Sequence, residues 1–331
     1  MGLGRDYRKG GSFLVLNIVI SIVGFALLIK CADFFVDGAS CLAKNLKVPT
    51  LVIGLTVVAF GTSAPELAIS FKSHLSGNTD MLFGNVIGSN IANILVILGL
   101  AVLIIPFRIQ NDIIKKQIPI LLLVTLGASV LFLDGLFNGA AENSFSRAEG
   151  IVMVLFFSIF IYYLITIIKK DMGSIGLVEK PKHSMLLSVI MVVGGLAGVI
   201  LGSNLVVDNV AEIASTVGIS QKIISVTIIS IGTSLPELVT TVIAAKKGEN
   251  NLAIGNIVGS NIFNICVVLG LPVVILGEAA TTAYNYIDAV FMITAVLLLW
   301  LFSSTDRELR RYEGVILILV YCAYGGYIIL Q

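Results

Sequence analysis

One stretch of this chain is written twice. GTSAPEL at 61–67 returns as GTSLPEL at 232–238, and GNVIGSNIANI at 84–94 returns as GNIVGSNIFNI at 255–265. The offset is the same for both pairs, 232 − 61 = 171 residues, and 19 of the 40 positions from 61 to 100 are identical across it without a gap. Spacing is kept along with the motifs, so this is an internal repeat. Whatever the first half builds, the second half must build again.

The material is greasy. Hydrophobic residues make up 57% of the chain and charged residues 12%, against about 25% charged in an ordinary soluble domain. So much apolar surface predicts a polytopic membrane protein. Ten apolar segments are legible, at roughly 12–37, 50–73, 80–105, 115–136, 148–168, 184–214, 220–245, 251–276, 284–302 and 312–330. Most reach the ~20 residues that a helix needs to cross a bilayer. The first and sixth are longer and should tilt. One connection reads as a linker: KKDMGSIGLVEKPKH at 169–183, charged and holding Gly and Pro. It separates a first five-helix unit (1–168, motif 54–100) from a second (184–331, motif 225–271). An odd number of spans per unit sends the second into the membrane from the opposite side. The expected fold is all-α, polytopic, with ten transmembrane helices in two inverted five-helix repeats, an arrangement typical of secondary transporters.

Positive charge orients it. Of 21 Lys and Arg, Arg5, Arg8, Lys9, Lys72, Arg147 and Lys222 fall on the face of the termini. Lys44, Lys47, Arg108, Lys115, Lys116, Lys169, Lys170, Lys180, Lys182, Lys246, Lys247, Arg307, Arg310 and Arg311 fall on the other, which should be cytoplasmic. Both termini are therefore expected outside the cytoplasm, the 169–183 linker inside it, and the protein in a plasma membrane. The polar start is too short, and the run after it lacks a small-residue cleavage site, so a first span is expected and not a removed signal. Net charge of +1 argues against nucleic acid. Cys31, Cys41, Cys266 and Cys322 have no metal-ligand spacing and read as small apolar residues.

Chemistry concentrates where the repeat is strictest. Pro65 lacks an N–H and crowds the carbonyl four residues back, that of Gly61, so the second span should break there and free carbonyls upstream. Free carbonyls at membrane depth must face protein, water or an ion. Thr62 and Glu66 are four apart and Ser63 and Glu66 three apart, on one helical face. Gly232, Thr233, Ser234, Pro236 and Glu237 repeat the set. In the next span of each half Ser89 and Asn93 are one turn apart, as are Ser260 and Asn264. Inversion brings Glu66 and Glu237 together from opposite sides. The result is an all-oxygen cage without His or Cys, suited to hard cations such as Ca²⁺ or Na⁺. Two close carboxylates in low dielectric repel when empty and call for one divalent or several monovalent ions. A Pro-Gly break alone could be a packing kink, but intramembrane acids are costly and mark function.

These paired motifs resemble the two alpha-repeats of the sodium/calcium exchanger family within the calcium/cation antiporter superfamily, and the resemblance covers the whole chain. It implies an antiporter exchanging Na⁺ for Ca²⁺ by alternating access, with no cofactor and no obligate protein partner. It implies ion ligands at Thr62, Ser63, Glu66, Ser89 and Asn93, and at Thr233, Ser234, Glu237, Ser260 and Asn264. Carbonyl ligands would fall on Ala59 and Ser230. It further implies that spans one and six slide across a fixed core. Many relatives carry Asp where this chain has Asn264, and potassium-dependent members need it. Asn here leaves two formal charges and speaks against K⁺ co-transport. A Ca²⁺/H⁺ exchanger on the same scaffold is the alternative.

Other residues read more plainly. Asn85, Asn90, Asn256 and Asn261 should bond between helices or line the ion path. Gly84, Gly88, Gly255 and Gly259 are small-xxx-small packing pairs. Lys30, Asp33 and Asp37 are spaced to pair along the first span, with Asp208 the repeat mate of Asp37; a local ion pair or an interfacial position is expected, and a role in the ion entrance is the sharper alternative. His74 and His183 are expected in solvated loops. Tyr162, Tyr163, Tyr284, Tyr286, Tyr324 and Tyr327 are expected as interface anchors. An enzyme is disfavoured: there is no HExxH, and GTSxPE offers no usable base for a serine nucleophile. A channel is disfavoured because inverted repeats with paired acids suit alternating access.

Overall fold

The computed structural model describes residues 3–137, 139, 142–171, 180–217, 230–281 and 284–330. Its helices follow the apolar segments. They are α1 (Leu3–Leu46), α2 (Thr50–Thr62), α3 (Ala64–Leu75), α4 (Thr79–Ile104), α5 (Ile113–Phe132), α6 (Arg147–Asp171), α7 (Met185–Thr216), α8 (Ser230–Thr233), α9 (Leu235–Lys246), α10 (Asn250–Leu276), α11 (Tyr286–Ser304) and α12 (Arg311–Leu330). Among the described residues, seven helices are long and apolar enough to cross a membrane, or eight if the bent pair α2–α3 is one span. The expected seventh span, 220–245, is described only from residue 230 onward.

The helices are not the whole fold. Two short antiparallel ribbons join loop ends: β1 (Phe107–Arg108) with β4 (Glu308–Leu309), and β2 (Asn143–Phe145) with β3 (Ala279–Thr281). An all-α expectation missed them. Each strand is two or three residues long, too short to leave a period-2 signal.

Repeat-equivalent turns match in detail. Gly77 and Gly248 take φ of +73° and +76° between α3 and α4 and between α9 and α10. A left-handed backbone there is the reason both turns hold glycine.

α4 and α10 are the most buried spans, α1 and α6 the least. The long helices α1 and α7 pack against each other backbone to backbone. A Cβ on Gly202 would come within 2.7 Å of the Leu28 nitrogen, and one on Gly195 within 2.8 Å of the Phe35 backbone. Gly255 and Gly259 do the same against Leu51, Leu55 and Ala59 of α2. Gly84 instead faces the Tyr284 hydroxyl.

Several polar residues depart from expectation. Asp33 and Asp37 pair with Lys247 across helices, at 2.9 and 2.7 Å, and not with Lys30, which is exposed. Ser40 donates to Glu249 at 2.5 Å beside them. Helical spacing made the local pair possible, but the turn after α9 supplied a closer cation. His74 sits in the last turn of α3, not in a loop. Tyr324 is 3% exposed and donates to Asp288 at 3.1 Å, so it is part of the interior, whereas Tyr162 and Tyr286 are exposed as anchors would be. Cys41 and Cys266 are buried as expected, and Cys322 is exposed.

Candidate ion-binding site

The repeated motif bends the chain as Pro and Gly require. α2 and α3 meet at 44° across Ser63, which leaves the helical region at φ −87°, ψ 9°. Ser234 does the same between α8 and α9, at φ −92°, ψ 7°. In each case the proline occupies the first turn of the following helix, where a missing N–H costs nothing. Glu66 and Glu237 stand in those same first turns, where the positive end of the helix dipole favours a carboxylate.

Both glutamates are sealed from solvent, at 1% and 0% exposure. Glu66 lies within reach of the charge on Glu237. Ser63 of the first half donates to Glu237 Oε1 of the second at 2.8 Å, and the hydroxyls of Thr62 and Ser260 lie beside the same carboxylate. The helical-face reading paired Ser63 and Thr62 with Glu66 of their own helix. The structure turns the Ser63 hydroxyl across to the other repeat and sets that of Thr62 between Asn256 Oδ1 of the other repeat and Ala59 O of its own helix.

α4 and α10 supply the walls. Ser89, Asn93, Ser260 and Asn264 are all buried. A π-helical turn begins at Asn93 and another at Asn264, equivalent positions in the repeat. Such turns are rare and recur at functional sites. They left no mark in composition or spacing, so the sequence could not announce them.

Buried polar atoms are nearly always bonded, yet several here have no protein partner. They are both oxygens of Glu66, Oε2 of Glu237, Ser234 Oγ, and both side-chain polar atoms of Asn93 and of Asn264. Among the sequence-selected carbonyls, Ala59 O accepts the Ser63 N–H at 3.0 Å and the hydroxyls of Thr62 and Ser260 at 3.3 and 3.4 Å. It is therefore engaged, not freed. Ser230 opens α8, and its side chain lies outside the described residues, as does the segment 218–229 before it. Thr233 is half-buried, with a partner of its own.

Asn85 and Asn256 hold the breaks together. Asn85 donates to Glu66 O at 2.8 Å and to Ser70 Oγ at 2.9 Å. Asn256 donates to Glu237 O at 3.4 Å and to Thr241 Oγ1 at 3.0 Å, the equivalent atoms. Of the two readings of these amides, helix bridging is the one observed. Asn90 and Asn261 bond only to carbonyls of their own helices, at 2.7 and 2.8 Å. Ser70 and Thr241 were not picked out by sequence reasoning, although the shared offset makes them equivalent hydroxyls.

A cluster of buried oxygens with two carboxylates, set where two helices break inside an apolar bundle, has the chemistry of a membrane cation antiporter. Comparison with known proteins agrees. The model of the sodium/calcium exchanger protein family matches residues 16–166 and 187–330. The chain is 38% identical over 327 residues to the putative antiporter CaxA of Alkalimonas amylolytica, covering 94% of this chain and 98% of that protein. It is 32% identical to the sodium/calcium exchanger MaX1 of Methanosarcina acetivorans, covering 94% and 98%. A solved structure of the sodium-calcium exchanger NCX_Mj, soaked with 10 mM Na⁺ and zero Ca²⁺, overlays with a TM-score of 0.80 at 30% identity, covering 94% of this chain and 98% of that one. The chain belongs to the sodium/calcium exchanger family.

Proposed function

We propose that this protein exchanges Na⁺ for Ca²⁺ across a plasma membrane by alternating access, binding both ions between two inverted five-helix repeats, 1–168 and 184–331. The observation that carries this reading is the pair of buried glutamates from equivalent broken helices with three of their four oxygens unpartnered. Two carboxylates balance one Ca²⁺. Thr62, Ser63, Ser89, Asn93, Thr233, Ser234, Ser260 and Asn264 add neutral oxygens, with the Ser230 carbonyl at the edge and that of Ala59 available only as its hydroxyl donors turn away, which suits hard cations of either charge. With Asn at 264 the cage has two formal charges and no call for K⁺.

The inverted arrangement has support in how loop ends meet. Segments assigned to the Lys-rich face touch one another: 107–108 with 308–309, Asp33 and Asp37 with Lys247, Ser40 with Glu249, and Asn45 with the His183 carbonyl. Segments assigned to the face of the termini do likewise: 143–145 with 279–281, Thr79 with Ala280, and Asn143 with Tyr284. α4 thus ends on the first face and α10 on the second, as inversion requires. The mobile part is the α1–α7 pair, whose glycine contacts let it slide as one body over the site.

The test is radioactive calcium uptake into proteoliposomes. Uptake that requires internal Na⁺ supports the reading. Uptake driven by a pH gradient without Na⁺ replaces it with Ca²⁺/H⁺ exchange on the same cage. No uptake in either case refutes both.

A further inference from the structure

Thr62 has one proton and three acceptors within reach. They are Asn256 Oδ1 at 3.2 Å, Ala59 O at 3.3 Å, and the Glu237 carboxylate. For this hydroxyl to serve a cation, its lone pairs must face the ion and its proton must point away. Ala59 O already accepts the Ser63 N–H and the Ser260 hydroxyl. Glu237 is itself part of the cage. Asn256 Oδ1 is the acceptor outside it.

The Asn256 amide is held in the orientation this needs. Its Nδ2 lies between two acceptors, Glu237 O and Thr241 Oγ1. Turning the amide over would bring Oδ1 against the Glu237 carbonyl oxygen, acceptor against acceptor. With Nδ2 fixed there, Oδ1 must look towards Thr62. Asn256 is 1% exposed, so no solvent competes for that oxygen.

We propose that Asn256 is a positioning residue for cation binding: it takes the Thr62 proton, so that the Thr62 hydroxyl presents lone pairs to the ion, and it ties that ligand of one repeat to the backbone of Glu237 in the other. The inference rests on the cation-exchange reading above. In the empty cage the Thr62 proton can turn to Glu237. When a cation arrives, the proton swings to Asn256 and the oxygen is free to coordinate. No bond is made or broken beyond these hydrogen bonds.

A double-mutant cycle tests this, read by Ca²⁺- and Na⁺-induced thermal stabilisation of purified protein and by flux. Thr62→Val removes the hydroxyl at constant shape, and Asn256→Leu removes the acceptor. Each alone should weaken apparent cation affinity about tenfold, roughly one lost hydrogen bond to a charged centre. The double variant should be no weaker than either single, because both remove the same ligand. Multiplying effects, or an Asn256→Leu protein with unchanged affinities, would overturn the proposal. If Asn256→Leu does not fold, Asn256→Ala enters the same cycle. Thr241→Val separates positioning from packing. It loosens the amide's closer anchor but leaves Thr62 and Oδ1 in place, so its loss of affinity should be smaller than that of Asn256→Leu and should vanish in a Thr62→Val background. A Thr241→Val loss that persists undiminished in that background would assign the effect to helix packing and sink the idea. Failure of the exchange reading would look different: wild-type protein itself would show no Ca²⁺- or Na⁺-induced stabilisation.

Discussion

Glu66→Gln should abolish calcium binding and leave the fold standing. Both Glu66 oxygens are buried without a protein donor, so the amide breaks no existing bond. What it removes is half of the negative charge facing the ion. A unit pair about 4 Å apart is worth about 4 kcal/mol at an effective dielectric of 20, and a dication doubles that to about 8. The glutamine oxygen recovers part through its dipole. Breaking a buried charge pair typically costs about 3–5 kcal/mol. At 1.4 kcal/mol per tenfold, calcium affinity should fall between about 100-fold and about 4,000-fold. Thermal unfolding in detergent reads this directly. At calcium about 1,000 times its dissociation constant, wild type gains about 4 kcal/mol from ligand linkage. A variant weakened about 1,000-fold gains only about 0.4 kcal/mol at the same concentration. Without ions it should unfold no earlier than wild type, since a buried charge repelled by Glu237 has gone. A full-sized calcium shift in Glu66→Gln, with flux retained, would refute the assignment of the cage.

Asn264→Asp adds a third carboxylate beside Glu66 and Glu237, so calcium flux should acquire a dependence on an additional monovalent cation, measurable by titrating K⁺ against uptake. Gly202→Ala drives a methyl to within 2.7 Å of the Leu28 nitrogen, which should cost about 1–3 kcal/mol of overpacking and slow exchange more than it weakens binding; unchanged turnover would argue against a sliding α1–α7 pair. Lys247→Met leaves Asp33 and Asp37 without their cation. These groups are partly exposed, so the loss is at most about 1 kcal/mol. It should still raise maleimide labelling of Cys41, buried on α1 beside the cluster, several-fold in a background lacking the other cysteines. Reporter fusions at both ends should place the termini on the non-cytoplasmic side, and a cytoplasmic signal from either would overturn the charge-based orientation.

The sequence disclosed most where chemistry repeats. Glu66, Glu237 and the two breaks were legible because proline and glycine act locally and because a carboxylate at membrane depth has few bland explanations. The partners of each hydroxyl were not. Helical spacing put Ser63 next to Glu66, whereas the fold carries it to Glu237, and no one-dimensional rule reports which strand of a repeat a side chain will cross to. The same limit hid the Asp33–Lys247–Asp37 cluster, whose lysine lies more than two hundred residues from its aspartates, and the ribbons that join loop ends. Asn256 shows the intermediate case. Its repeat mate and its amide pointed to hydrogen bonding between helices, but only the geometry names Thr62 as the group that needs it.

An exchanger built from one motif used twice has a problem that the duplication itself creates. Under the proposed alternating access, equivalent halves tend towards equal free energies for the two end states, and the proposed ion ligands match one for one between the halves. The ends of the halves do not match. At the offset of 171, Asp33 and Asp37 correspond to Asn204 and Asp208, while Lys247 and Glu249 correspond to Ser76 and Asn78. One end of the molecule therefore clasps α1 with a lysine between two aspartates and a serine on a glutamate, and the equivalent positions at the other end hold no cation. On the proposed alternating-access reading, the bias between states would be tuned at the Lys-rich face, by single charges there, without altering the residues proposed to hold the ions. Matched ligands with unmatched ends separate how tightly ions bind from which way the site faces, and a transporter needs to set those two quantities independently.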